Sequence, residues 1–265
     1  MPHPTNDPLS VADIDAWAER YARNAAYFWE LPVRPSGRFV RWDDVWAADP
    51  SAGTPIVNSA TLLRRLPDDA FGELLVRLDD FYGAAPGTPW WLWSPWPTPD
   101  LSGQGCELIG HPPLMVRLAG AGKAPAAPDL RVVEATDAAG LADWERTLLA
   151  GYPTPELAGG PPLFEASALG QETHFWIGYV GDEPVTVAAG VVAEGVVGVQ
   201  AVATLPHMRG RGYGAAVTHA AALSAPELPA ALVSSDLGYR VYAGLGFVPL
   251  GHRFTLWMRA RGARP

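Results

Sequence analysis

Two spacings of apolar residues alternate along the chain. VADIDAWAERYARNAAYF (11–28) places Trp17, Tyr21 and Phe28 at helical intervals, with Asp7 or Ser10 as the cap and Leu31-Pro32 as the stop. Arg38 to Trp46 and Pro55 to Ala60 read as strands across a loop holding Pro50 and Gly53, Pro67 to Tyr82 as an amphipathic helix, and Trp90, Trp91 and Trp93 as the start of another strand. After residue 129 the pattern is clearer. Leu130 to Glu134 predicts a strand, Thr136-Asp137 a cap for a helix over Ala138 to Leu149, and Gly151 to Pro155 a break. His174 to Val180 and Val185 to Ala193 form a hairpin across Gly181 to Pro184, and glycine-flanked Glu194 turns the chain into a strand, Val196 to Ala203. Pro206 stops that strand, Gly212 and Gly214 open an alanine-rich helix (Ala215 to Leu223), and Ala231 to Ser235 is a further strand.

Pro89 to Leu118 and Ala230 to Met258 share an apolar strand, a polar turn, a glycine pair five residues apart (Gly105/Gly110 and Gly246/Gly251) and a closing apolar strand. This predicts an internal repeat. GAGKAPAAP (120–128) has linker composition, so the expected organisation is an N-terminal module over 1–120, a linker over 121–128 and a second module over 129–265.

The length suits two ordinary domains, and 48% hydrophobic with 18% charged residues describes a globular chain. No apolar run approaches the ~20 residues of a membrane helix. The N-terminus lacks a basic head and an apolar stretch, so a cytoplasmic protein is expected. The single cysteine, Cys106, excludes an intramolecular disulfide and any cysteine-cluster metal site. Net charge is −9 and both halves are acidic, which disfavours a nucleic-acid partner and favours a cationic amine. Tryptophan, at eleven, is read first as buried bulk and only second as a substrate cage.

The chemistry concentrates in VVGVQAVATLPHMRGRGYG (196–214). A strand, a glycine-rich turn and a helix start leave backbone N–H groups unpartnered beside a partial positive charge, which is a seat for phosphate. Gly210, Gly212 and Gly214 remove Cβ atoms from that seat, and Arg209 and Arg211 add charge. The spacing matches neither a P-loop nor a dinucleotide fingerprint.

Arg209-x-x-Gly212-x-Gly214, preceded by Val-Ala-Thr-Leu-Pro at 202–206, resembles the signature of the GNAT superfamily of acyl-CoA-dependent N-acyltransferases. Ser235-x-x-Gly238-x-x-Val241-Tyr242-x-x-Leu245-Gly246-Phe247 resembles that family's second signature, in family order. The resemblance implies an α+β GNAT fold: a mixed, mostly antiparallel sheet flanked by helices, in tandem with a degenerate N-terminal copy. That copy is expected not to bind cofactor, because the counterpart of its phosphate turn, Ile56 to Leu66, has no glycine.

The resemblance further implies acetyl-CoA as co-substrate, held by Val202, Ala203 and Thr204 along the strand edge, by Arg209, Gly210, Arg211, Gly212, Tyr213 and Gly214 at the diphosphate, and by Ser235. Tyr242 becomes the acid for the leaving thiolate. The fourth strand carries no glutamate, the family's common base, and its one polar residue is Gln200. Glu172, His174, Glu194 and Asp236 are the titratable alternatives, beside a water path. No histidine spacing implies a metal. The expectation is direct acetyl transfer to a small-molecule amine by a monomer or homodimer, with an acyl-CoA-binding module without activity, or a protein N-acetyltransferase, as alternatives.

Overall fold

The computed structural model describes residues 11–33, 37–50, 56–83, 89–120, 122, 124–152, 162–170 and 172–260. The proposed caps Asp7 and Ser10, most of the loop around Gly53 and the break after Tyr152 lie outside them.

Two sheets carry the fold. The first runs β1 (Arg38–Arg41), β2 (Val45–Asp49), β3 (Ser59–Leu62), β4 (Trp90–Ser94), β13 (Thr255–Arg259), β5 (Cys106–Gly110). The second runs β12 (Val248–Arg253), β6 (Pro113–Arg117), β11 (Ala230–Val233), β10 (Val196–Thr204), β9 (Glu183–Ala193), β8 (Thr173–Val180), β7 (Arg131–Glu134). Each has one parallel contact, β3 with β4 and β10 with β11, and every other pairing is antiparallel. The sheets are thus two copies of one plan. Gly105 and Gly246 repeat the left-handed backbone at the same place in each copy, with φ of 81° and 85°.

The copies exchange their last strands. β6, before the linker, lies between β11 and β12, and β13, near the C-terminus, lies between β4 and β5. The linker therefore separates the chain but not the sheets. Arg259 fastens β13 to helix α2 (Phe71–Tyr82) with Nε 2.8 Å from Asp79 Oδ1 and Nη2 2.6 Å from Oδ2, on a side chain only 3% exposed.

Helix α1 (Val11–Glu30) also crosses the division. Asn24 Nδ2 donates to the carbonyls of Val191 and Val196 at 2.8 and 3.2 Å, pinning the helix to the second sheet. Gly198 permits this approach, since a Cβ there would fall 1.8 Å from Asn24 Oδ1. Helix α3 (Ala138–Gly151) covers the second sheet with Trp144, Phe164 and Phe175 in edge contacts, and α4 (Tyr213–Ala222) packs Val217 and Ala221 against it. In the first sheet, Tyr82 stacks on Trp90 at 4.8 Å.

The local readings shift in four places. Arg38 to Trp46 is two strands, because Asp43-Asp44 makes a turn that the apolar pattern ran through. The strand expected over Pro55 to Ala60 is β3, starting at Ser59. The helix expected from Pro67 begins at Phe71, after a short 3-10 turn. Since β3 occupies residues 59–62, the counterpart of the phosphate turn moves from Ile56–Leu66 to the stretch 63–70, which also lacks glycine.

Candidate functional site

β10 parts from its parallel neighbour early. It pairs with β11 only at Val197↔Ala230 and Gly198↔Ala231, so its edge from Val199 to Thr204 has no strand partner on that side. On the other side a bulge between Gln200 and Ala203 breaks the register with β9, and Ala201 adopts φ 51°. A left-handed alanine costs about 1–2 kcal/mol, a strain of the kind that collects at functional sites. The bulge turns Gln200, Ala201 and Val202 into a cavity of about 500 Å³. Ala203 and Thr204 are more committed: the Ala203 carbonyl accepts from Thr186 Oγ1 at 2.8 Å, and Thr204 O accepts from Arg209 Nε at 3.1 Å.

At the far end of this edge lies the glycine turn. Gly210 and Gly212 have φ of 76° and 82°, and residues 209–212 are exposed. A Cβ on Gly210 would meet nothing within 4 Å, so the space beside it is open, whereas one on Gly212 would come 3.3 Å from Ala126 O of the linker. Gly212 caps α4 without a side-chain hydrogen bond, leaving the first helical N–H groups for a ligand. Arg209 is used structurally, with Nη2 donating to Gly151 O at 2.9 Å at the C-terminus of α3. Arg211 is exposed beside the turn. The buried Tyr213 side chain bonds Asp129, so only its backbone faces the seat. Free amides, an open glycine and an exposed cation fit a diphosphate.

Tyr242 stands at the cavity, on α5 (Tyr239–Gly244). Its ring packs over Gly238, where a Cβ would sit 2.5 Å from Tyr242 Cε2, so a side chain at that position would displace the ring. Burial, with Tyr152 and Tyr21 adding to it, raises the Tyr242 pKa, so the hydroxyl keeps its proton. Its oxygen has no hydrogen-bond partner among the described residues. Ser235 also lines the cavity, where its Oγ accepts from Gly238 N at 3.3 Å.

Of the titratable alternatives, Asp236 alone reaches the cavity. His174 lies on the β7–β8 pair, bonded to Glu134 at 2.7 Å, and Glu172 and Glu194 are exposed at the ends of strands. His111, absent from the sequence reading, joins Asp236 on the lining.

Sequence reasoning also missed Tyr21. Its hydroxyl accepts from Gln200 Nε2 at 3.1 Å and from Val233 N at 3.3 Å, bridging β10 and β11 where they diverge. With two bonds accepted, it has a proton left to donate. Burial pushes its pKa up to about 12. On the chain, Tyr21 reads as one aromatic of a helix stripe, and nothing local distinguishes it. The same holds for Trp29, Trp91 and Trp93, which line the cavity, while Trp46, Trp90 and Trp144 are core. Among the described residues no three His, Cys, Asp or Glu side chains gather as a metal site, and no helix is long and apolar enough to cross a membrane.

No family model and no curated protein matches the sequence. Solved structures do. A GCN5-related N-acetyltransferase from Kribbella flavida is 21% identical and superposes with a TM-score of 0.65 over 90% of this chain and 95% of its own. A functionally unknown conserved protein from Staphylococcus epidermidis is 13% identical, with a TM-score of 0.58 over 85% and 94%. A GCN5-related N-acetyltransferase from Sphaerobacter thermophilus is 14% identical, with a TM-score of 0.54 over 95% and 94%. The likeness spans both sheets.

Proposed function

We propose, from the premise that this chain has the GNAT fold, that it is an N-acetyltransferase moving an acetyl group from acetyl-CoA directly to the amine of a small molecule. The observation that carries this reading is the parted edge of β10, with an open glycine turn at one end and a protonated tyrosine at the other.

Acetyl-CoA would supply the activated acetyl thioester. The amides at the start of α4, with Gly210, Gly212 and Arg211, would hold the diphosphate, and the β10 edge around Val202 would hold the arm. Backbone N–H groups beside the bulge would donate toward negative charge developing at the acyl carbonyl. Tyr242 donates its proton to the departing sulfur. Asp236 or His111, directly or through water, takes a proton from the incoming ammonium, whose ordinary pKa near 10.4 leaves little free amine at neutral pH.

A covalent acyl-enzyme is disfavoured, because Cys106 lies in the first sheet, away from this cavity, and burial raises its thiol pKa. A small acceptor is favoured over a protein side chain because residues of the first sheet and α1 wall the cavity. Calorimetry with coenzyme A and thiol release from acetyl-CoA with an amine panel test the reading. Micromolar binding with amine-dependent release is expected, and absence of binding overturns it.

A further inference from the structure

The cavity walls sort the possible acceptors by charge. Trp29, Trp91, Trp93, Ile109, Leu148 and Phe164 supply apolar surface from five separate segments of chain. Among the described lining residues there is one carboxylate, Asp236, exposed at the rim, and neither lysine nor arginine. The tyrosines there are neutral, for burial raises Tyr21 and Tyr242. Among the described lining residues a second ammonium on the acceptor would have no further carboxylate to meet, and a carboxylate would have no fixed cation. Burying either unpaired is strongly unfavourable. A volume of about 500 Å³ suits a compact organic ligand.

We infer that the acceptor is a monoamine on an aromatic or branched aliphatic body, bearing no second ionic group. This rests on the transfer reading above. The amine end lies toward Asp236 and Tyr242, and the body lies against the tryptophans of α1 and β4. The overall negative charge of the protein then draws in a single cation, and the wall rejects polycations.

The test is kcat/KM by thiol release from acetyl-CoA with straight-chain alkylamines and phenethylamine, against spermidine, an aminoglycoside and glycine. Each added methylene is expected to raise kcat/KM about fourfold until the cavity is full. The polycations and glycine are expected at least 100-fold below the best monoamine. A flat series, or spermidine or glycine matching the monoamines, overturns the inference.

Ile109 is 43% exposed, so Ile109→Glu leaves the core intact while adding a wall carboxylate. It is expected to raise the diamine-to-monoamine ratio at least tenfold, and an unmoved ratio counts against the wall as the seat of the body. Tryptophan fluorescence quenching by phenethylamine with coenzyme A present reads binding apart from turnover. Quenching without thiol release sinks acetyl transfer and retains the pocket assignment, whereas release with polycations alone sinks the pocket assignment and retains transfer.

Discussion

The turn after β3 and the turn after β10 occupy the same place in two copies of one plan, and they differ in how far the strand before each parts from its neighbour and in the charge beside it. β3 stays paired with β4 over Ser59, Ala60 and Thr61, while β10 leaves β11 after two residues of a nine-residue strand. The first turn leads through Pro67 into Asp68 and Asp69, so chain carboxylates stand at the helix start where a phosphate would bind in the second. The second turn has glycine at that point and no acid. One copy completes its own electrostatics and closes; the other leaves amides and an edge open. A binding site can thus arise from a shared architecture by omission: a missing side chain, a missing strand contact, a missing charge.

The strongest way to break the comparison is at the proposed acid, Tyr242. The first copy has Ser102–Gln104 where the second has α5, so no hydroxyphenyl group stands there. Tyr242→Phe is expected to lower kcat about 10²–10⁴-fold with coenzyme A affinity retained, the range for loss of a general acid. Unchanged turnover would return Tyr242 to a packing role.

Next comes the exchange that couples the copies. Asp79→Ala leaves the Arg259 guanidinium buried without its carboxylate, and a loss of about 3–5 kcal/mol is expected in denaturant unfolding. Because β13 completes the first sheet and β6 the second, the loss should appear in a single transition. Two separated transitions would show the copies to be independent.

Gly212→Asp makes the second turn imitate the first, adding both a strained left-handed side chain and an anion. Coenzyme A affinity should fall about 30–150-fold by calorimetry, from about 2–3 kcal/mol of repulsion and lost backbone approach at the seat. An unaltered affinity would place the diphosphate elsewhere.

Tyr21→Phe gives the smallest effect at neutral pH. It leaves Gln200 Nε2 and Val233 N without their acceptor, at about 1–2 kcal/mol of stability. The alkaline limb sharpens the result. Tyr21 is neutral in both states below pH 10; above it the unfolded chain ionises first, so stability falls from pH 10 until about 12, where the native group titrates. The phenylalanine variant should lack that share of the alkaline loss, and an identical slope would mean that Tyr21 is not sealed from water.

The second copy was legible because its chemistry is local. A strand, glycines and a helix start fall within 196–214, and Gly238 and Tyr242 lie three and seven residues past Ser235. What stayed hidden depends on distant pairing. No apolar pattern says that Leu114 and Met115 belong beside β11 and not β5, since a buried strand reads alike in either sheet. Asp43-Asp44 did not interrupt the period-two signal, so a hairpin read as a strand. Tyr21 and Trp93 have the same local setting as their core neighbours, and only the packing of α1 and β4 across the second sheet makes them wall.

Strand exchange also orders events during synthesis. A growing chain lays down β4 and β5 by residue 110, yet the strand that belongs between them is residues 255–259. Until residues 255–259 leave the ribosome, the first sheet has a gap between β4 and its final strand, β5, and two unsatisfied edges, a configuration open to wrong partners. Residues 255–259 are then the keystone of a sheet begun at residue 38, and a ribosome that stalls short of residue 255 releases a product in which that earlier sheet, though otherwise translated, is unfinished.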